Sequence, residues 1–423
     1  MEKALKLALV ALAIRLLVAP FLGHLWDVKT LQETAFYTIK GYNVYELVYT
    51  LSRKVSEASG QPIFYEGYAY PPHLIIIILP FYILYLALGG DPQPIKVSEA
   101  IAGVSLLYEL QFYLSKDVFL FLAIIKMPMI LADSAIVYLL GRRSERLAAI
   151  YALSPYSIFI TAAWGMFDSI VALALILSIL FFERGRYVLS GIAYGLSLVK
   201  IYSLVALPVF LLHARNRGFE ALKSFIAGLA LSQAPTLAFL ALNPEAFMYS
   251  VVVFHLFRQP SGLTPLRMLN VAENTTLTMA ASTIHTLVSL AVYILILATM
   301  YRRNVDLKVG VAATLLYFQA FSKVVHEQYY LSVYPILLEL RPREARVLEY
   351  IVIAYGLVSV GLFLAAPTLL FLVDFRILEL HASIVYGDIG YITTSLVGPL
   401  IATLLSIVAF TVTLKTIMNL LKP

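Results

Sequence analysis

Long apolar blocks alternate with short polar clusters along the whole of this chain. Hydropathy predicts membrane spans at 4–25, 71–89, 97–114, 118–140, 147–164, 168–183, 188–213, 219–242, 284–301, 307–322, 327–340, 346–373 and 393–417. Lipid satisfies no backbone polar group, so each span is expected to be helical. Blocks 307–322 and 327–340 fall short of the roughly 20 residues a bilayer needs and read as tight hairpins that tilt or stop short of full depth. Block 188–213 fits one long helix or a hairpin broken near Lys200. The expected fold is all-α, a single polytopic transmembrane helix bundle over 1–423 with about 11–14 membrane segments. In the first long loop, 28–40 and 44–58 are amphipathic and predict two short helices lying on the membrane surface.

The polar clusters orient these elements. Basic residues gather at Lys3/Lys6, Arg142/Arg143/Arg146, Arg184/Arg186, Arg215/Arg217/Lys223, Arg302/Arg303/Lys308, Arg341/Arg343/Arg346 and Lys415/Lys422, and these hold more than half of the 31 Lys and Arg. Such clusters favour the cytoplasmic side. All of them can face it only if 188–213 turns back near Lys200, so the broken hairpin is adopted. Both termini are then cytoplasmic. The outer face receives 26–70, the turn at 164–168, the Lys200 apex, 243–283, the turn at 323–327 and 374–392.

Composition supports a lipid environment. The 423 residues are 61% hydrophobic and 13% charged, with a mean hydropathy of +0.86, whereas a soluble chain carries about 25% charged residues. The first block is too long for a cleaved signal peptide and lacks a small-x-small site, so it reads as a signal anchor. The absence of cysteine excludes disulfides, thiol catalysis and cysteine-ligated metal. The net charge of +6 fits cytoplasmic clusters facing anionic headgroups. There is no P-loop and no nucleic-acid motif, so membrane lipids rather than nucleic acids are the expected partners.

Ionisable residues inside a membrane are costly. Arg15 lies halfway along the first span, and Lys126 and Asp133 share one face of the fourth. Two helical turns separate the latter pair, so each is expected to find a partner on another helix, as structural buried charges do. Further groups lie at the outer edge. Asp27 is the first acid after the first span. Asp168, in Trp164-Gly165-Met166-Phe167-Asp168-Ser169, heads the next helix, where Asp is a favoured cap. Lys200, at a hairpin apex, has snorkelling as its plain role. His326 and Glu327 make the turn at 322–330 more ionisable than a turn requires.

Several motifs follow in order. They are Asp27, Gly41-Tyr42-Asn43-Val44-Tyr45, Tyr70-Pro71-Pro72, Lys126-Met127-Pro128 with Asp133, the Trp164–Ser169 turn, Arg184-Gly185-Arg186-Tyr187 before Lys200, and His326-Glu327 with Tyr329. In this order and spacing the chain resembles the GT-C superfamily of multi-span glycosyltransferases, most closely the GPI-mannosyltransferase-like branch found in prokaryotes. The resemblance implies a GT-C bundle that takes a sugar, mannose by the branch, from a polyprenyl-phosphate donor at the outer face. The sugar passes with inversion to the hydroxyl of a lipid or glycan acceptor. Asp27 is then the candidate base. Lys200, Arg258 and His326 are candidates for the donor phosphate, in that order, and Glu33, Asp168, Glu327 and Tyr70 for the sugar or acceptor, the three acids alternatively holding those cations.

The chain also departs from the family pattern. Some relatives carry Asp-x-Asp in the first loop, where this chain has Asp27-Val28-Lys29, which leaves a divalent metal open. Relatives often have Pro after the lysine, where Ile201 stands here, and no soluble carboxy-terminal domain follows. Two other classes are weighed. A noncatalytic subunit of a glycolipid-processing complex would not need Asp27. A secondary transporter should show repeated halves with broken helices at the midplane, and no such repeat is visible.

Overall fold

The computed structural model describes residues 2–60, 67–92, 117–258, 260–267, 275–359 and 398–422. The expected span 97–114, the outer segment 374–392, and parts of the spans 346–373 and 393–417 lie outside the described residues. The rest is almost wholly helical. In order come α1 (Glu2–Val18), α2 (Leu25–Ile39), α3 (Val44–Ser59), α4 (His73–Ala87), α5 (Asp117–Ile125), α6 (Met127–Gly141), α7 (Glu145–Ala152), α8 (Pro155–Ile158), α9 (Asp168–Glu183) and α10 (Tyr187–Ser197). Then follow α11 (Leu207–Asn216), α12 (Phe219–Ser232), α13 (Ala234–Leu242), α14 (Pro244–Met248), α15 (Phe254–Phe257), α16 (Thr275–Arg303), α17 (Leu307–Phe321), α18 (Tyr334–Leu340), α19 (Pro342–Ser359) and α20 (Gly398–Leu420).

Among the described residues, Thr283–Arg303 and Leu400–Leu420 are long and apolar enough to cross a membrane, and three bent helix pairs raise the number to five. His73–Ala87, Ile201–Asn216 and Leu307–Phe321 are apolar but shorter. Spans that hydropathy reads as continuous are bent where helix chemistry fails. Pro128 sits just after the 42° bend between α5 and α6, and Pro155 at the 46° bend between α7 and the helix that follows. Two regions differ more. Helix α16 is 29 residues long and begins inside the expected loop 243–283. Much of the remainder of that loop is helical too, including a π-helical turn at Tyr249–Val253.

The chain does reverse at Lys200. A Cβ on Gly191 would strike the Phe225 carbonyl and the Leu229 amide nitrogen, and one on Gly195 would strike the Ser232 side chain. The backbones of α10 and α12 therefore touch through glycine, in the same residue order, and the two helices run parallel. The chain between them must turn back, and it does so after Ser197, returning through a 3-10 stretch at Ile201–Ala206 and α11.

The polar clusters sort to two ends. At one, Lys3 pairs with Glu145, Arg143 with Glu339 and Lys308 with Glu339, while Arg303 and Arg341 donate to the Leu421 and Asn419 carbonyls. At the other end, the segments around Asp27, Trp164, Lys200, Arg258 and His326 converge.

Candidate active site

Asp27 lies in the first turn of α2, which starts three residues earlier than the amphipathic pattern suggests. His24, not Asp27, takes the cap position. The Asp27 side chain, about 20% exposed, is held through one oxygen: Oδ2 accepts from Trp164 Nε1 at 2.6 Å and lies 2.8 Å from His24 Nδ1. Oδ1 has no bonded partner among the described residues. Burial pushes this carboxyl up, but the His24 charge, the bonds from His24 and Trp164, and the Lys200 charge together hold it below the ordinary value. Asp27 is thus an ionised carboxylate with one oxygen fixed.

Trp164 ends a π-helical turn, Phe159–Trp164. π-Turns are frequent at functional sites because they re-aim a side chain. The next turn leads to Asp168, which is fully buried and does not cap α9. Its oxygens instead accept from Lys200 Nζ at 2.6 Å and Tyr202 OH at 2.7 Å. Lys200 is 4% exposed, so it does not snorkel; its ammonium lies over the rings of Phe167 and Tyr329.

Arg258 and His326 meet through a device the all-α expectation omitted. Ser261–Gly262 pairs in parallel with Val324–Val325. Gly262 sits at φ +79°, and a Cβ there would lie 2.0 Å from the Val325 carbonyl, so only glycine allows this pairing. The short ladder brings Arg258 Nη2 to 3.0 Å from His326 Nε2. Burial first, then the Arg258 charge, push His326 down to about 3, so its neutral ring accepts from the guanidinium. Lys323, beside it, is pushed down by burial and by Arg258. Neither Arg258 nor Lys323 has a carboxylate in ion-pair range among the described residues, so two like charges face each other uncompensated.

Tyr70 joins this group. The Gly41–Tyr45 motif explains how: Asn43 caps α3 by accepting from the Tyr45 amide, and the buried Tyr45 hydroxyl donates to the Tyr70 carbonyl at 2.8 Å. The Asp27 charge acts on Tyr70, Lys200, His326 and Glu327 alike, so all lie about one centre. Glu327 is buried, accepts from Ser359 and has Oε2 4.0 Å from His326 Nδ1. An apolar cleft of about 600 Å³ opens beside them, lined by Tyr70, Lys200, Lys323 and Tyr329 together with Val251, Leu256 and Phe318.

Glu33 does not join this group. It lies on another face of α2, 3.6 Å from Lys29, and lines a separate cavity of about 260 Å³ with Tyr37 and Lys54. Burial raises its carboxyl despite Lys29. The partner groups His24, Tyr202 and Lys323 were not singled out from sequence. The Trp164 turn was visible there, but not that its indole holds Asp27.

Arg15 and Asp133 form an ion pair between two helices, apart from the groups around Asp27. Lys126 instead donates to four backbone carbonyls, and no carboxylate lies in ion-pair range of it among the described residues. Among those residues, no three His, Cys, Asp or Glu gather as a metal would require.

The family model for Mannosyltransferase (PIG-M) matches residues 161–404. The chain belongs to this mannosyltransferase family. The match spans Trp164, Asp168, Lys200, Arg258, His326 and Glu327; Asp27 and Tyr70 lie before it. No curated protein and no solved structure matches the chain. Family membership and the apolar helices together make it a membrane mannosyltransferase.

Proposed function

We propose that this mannosyltransferase takes mannose from a polyprenyl-phosphate donor and passes it, with inversion, to an acceptor hydroxyl at the outer membrane face. The observation that carries the reading is Asp27, a carboxylate with one oxygen fixed, whose charge reaches Tyr70 and Lys200 on the wall of an apolar cleft that Lys323 also lines. Asp27 Oδ1 takes the acceptor proton as the acceptor oxygen attacks the anomeric carbon. The bond from that carbon to the phosphate oxygen breaks, and its electron pair leaves with the polyprenyl phosphate. Arg258 and Lys323 are the cations best suited to that growing charge, because Lys200 is already neutralised by Asp168. Lys200 and Asp168 then shape the pocket and keep Tyr202 and Tyr329 in place. His326, neutral, orients Arg258. The cleft suits the first isoprene units of the donor. With Lys29 where an Asp-x-Asp motif would place a second acid, no step requires a metal.

Purified protein in lipid discs should transfer labelled mannose from polyprenyl-phospho-mannose and not from a nucleoside-diphosphate mannose. Transfer from the nucleotide sugar alone would overturn the donor assignment.

A further inference from the structure

We propose that Lys126 is a positioning residue for the reaction. Its ammonium clamps the segment carrying Asp27 to the turn carrying Trp164. The inference rests on the reading of Asp27 as the base and adds a residue outside the converging site.

Lys126 lies in the break between α5 and α6 and is completely buried. Its Nζ donates to the carbonyls of Ala19 and Leu22, just past the end of α1, at 3.0 Å for Ala19. It also donates to Ala162 and Ala163, at the end of the π-turn, at 2.9 and 3.2 Å. The carbonyls of Ala19, Ala162 and Ala163 belong to helix ends, where the last carbonyls lack intrahelical donors and carry partial negative charge, and Leu22 lies in the turn that leads to His24. One cation therefore serves two helix C-termini at once. Each supplies roughly half a negative charge, and this explains why a lysine can be buried here without a carboxylate. An ammonium has three N–H groups, so one of the four bonds is shared.

The two ends it joins are the two that make the base. The first leads through Gly23 to His24 and Asp27; the second ends in Trp164. The His24 amide donates to the Trp164 carbonyl at 3.2 Å, and the two rings lie against each other at 5.2 Å between centroids, tilted by 38°. Trp164 Nε1 then donates to Oδ2 of Asp27, and His24 Nδ1 lies 2.8 Å from the same oxygen. The site also makes room for the lysine. Gly165 has φ +94°, and a Cβ there would lie 2.8 Å from Lys126 Cε. Without the ammonium, four carbonyls face one another unpaired, and the two ends separate. Asp27 loses its fixed oxygen, although no group touching the donor has changed.

The test uses Lys126→Met and Lys126→Arg in full-length protein in lipid discs, with folded fractions isolated by gel filtration. In a Trp26→Phe background Trp164 is the sole tryptophan, so its emission reports the clamp without reference to activity. Lys126→Met should shift Trp164 emission and lower kcat about 100-fold, the scale of a 1 Å misplacement, with KM for polyprenyl-phospho-mannose unchanged. Lys126→Arg should recover part of both. In an Asp27→Asn background, Lys126→Met should lower kcat little further, because its effect passes through Asp27. Unchanged Trp164 emission, or a full additional loss in that background, overturns the proposal. If the parent protein transfers no mannose, the reading of the reaction fails, and the emission result still decides the clamp. If Lys126→Met yields no folded protein, Gly165→Ala, which presses on the lysine stem, gives the same emission readout. An unshifted Trp164 there overturns the proposal.

Discussion

Two buried ion pairs, Arg15–Asp133 and Lys200–Asp168, answer the same problem in opposite surroundings. Around the first, every strong group has a partner. Arg15 donates to the Ala11 and Ala152 carbonyls and to Ser157, while Asp133 also accepts from Tyr151 and Thr161. Around the second, the pair itself is closed, but Lys200 borders a cleft whose wall also carries Lys323, and neither Lys323 nor the nearby Arg258 has a carboxylate in ion-pair range among the described residues. A buried charge saturated by the protein holds helices together. A cluster with surplus charge of one sign, beside a cavity, awaits a ligand of the other sign. Charge in the membrane is thus informative only together with its count of partners.

The largest effect should come from the carboxylate facing that surplus. Asp27→Asn keeps the bond from Trp164 but cannot take a proton. It should lower mannose transfer by about 100- to 10,000-fold while donor binding on the same sample persists. Near-normal transfer would return Asp27 to a role in the start of α2.

The closed pair should break differently. Arg15→Met leaves Asp133 buried and unpaired and should cost about 3–5 kcal/mol of stability, read by unfolding in detergent. Arg15→Met with Asp133→Leu should recover most of that, and kcat of the folded fraction should stay near that of the parent. A lasting loss of kcat in the double variant would erase the distinction between the two pairs.

Arg258→Gln should raise KM for the donor about 10-fold or more, in keeping with one charge-assisted bond to phosphate, and Lys323→Gln somewhat less. Lys200→Gln should instead lower the yield of folded protein, since it leaves Asp168 buried without its cation. A donor-affinity loss confined to Lys200→Gln would reverse the assignment of the phosphate contacts.

The smallest effects are in pH. Asp27 is held below the ordinary carboxyl value, so the acid limb of kcat/KM should lie below that range. His24→Gln removes the strongest group lowering it and should move the limb upward; an unmoved limb would show that another group sets it. His326 is pushed from 6.5 down to about 3 by burial and then Arg258. Between those values the unfolded chain binds the extra proton, so stability should fall as pH drops through that window. His326→Asn should flatten the slope, measured by melting across that range.

Much of this site could be read from the chain. Asp27, Asp168, Lys200, Arg258, His326, Glu327 and Tyr70 do converge, because charge asymmetry along the chain assigns all their segments to one side, and ordered motifs mark them. Glu33 lies apart from them, lining another cavity, because loop membership says nothing about which face of α2 a side chain takes. Lys200, the first candidate for the donor phosphate, pairs with Asp168, a partner that no local pattern around either residue announces. The parallel ladder at Ser261–Val325 leaves no signal of its own: two residues on each side are too short for any periodicity.

The sequence by itself determined that this is a membrane-embedded helical chain, where it turns, and which ionisable residues are too costly to be incidental. Those follow from local hydropathy and charge, which act residue by residue. Only the tertiary structure decided who partners whom: that Asp168 neutralises Lys200, that Arg258 finds no acid among the described residues, and that Lys126 bonds the chain at two helix ends. Pairing in a membrane interior depends on distances of a few ångströms between helices far apart in the chain, and no periodicity along a single helix encodes them.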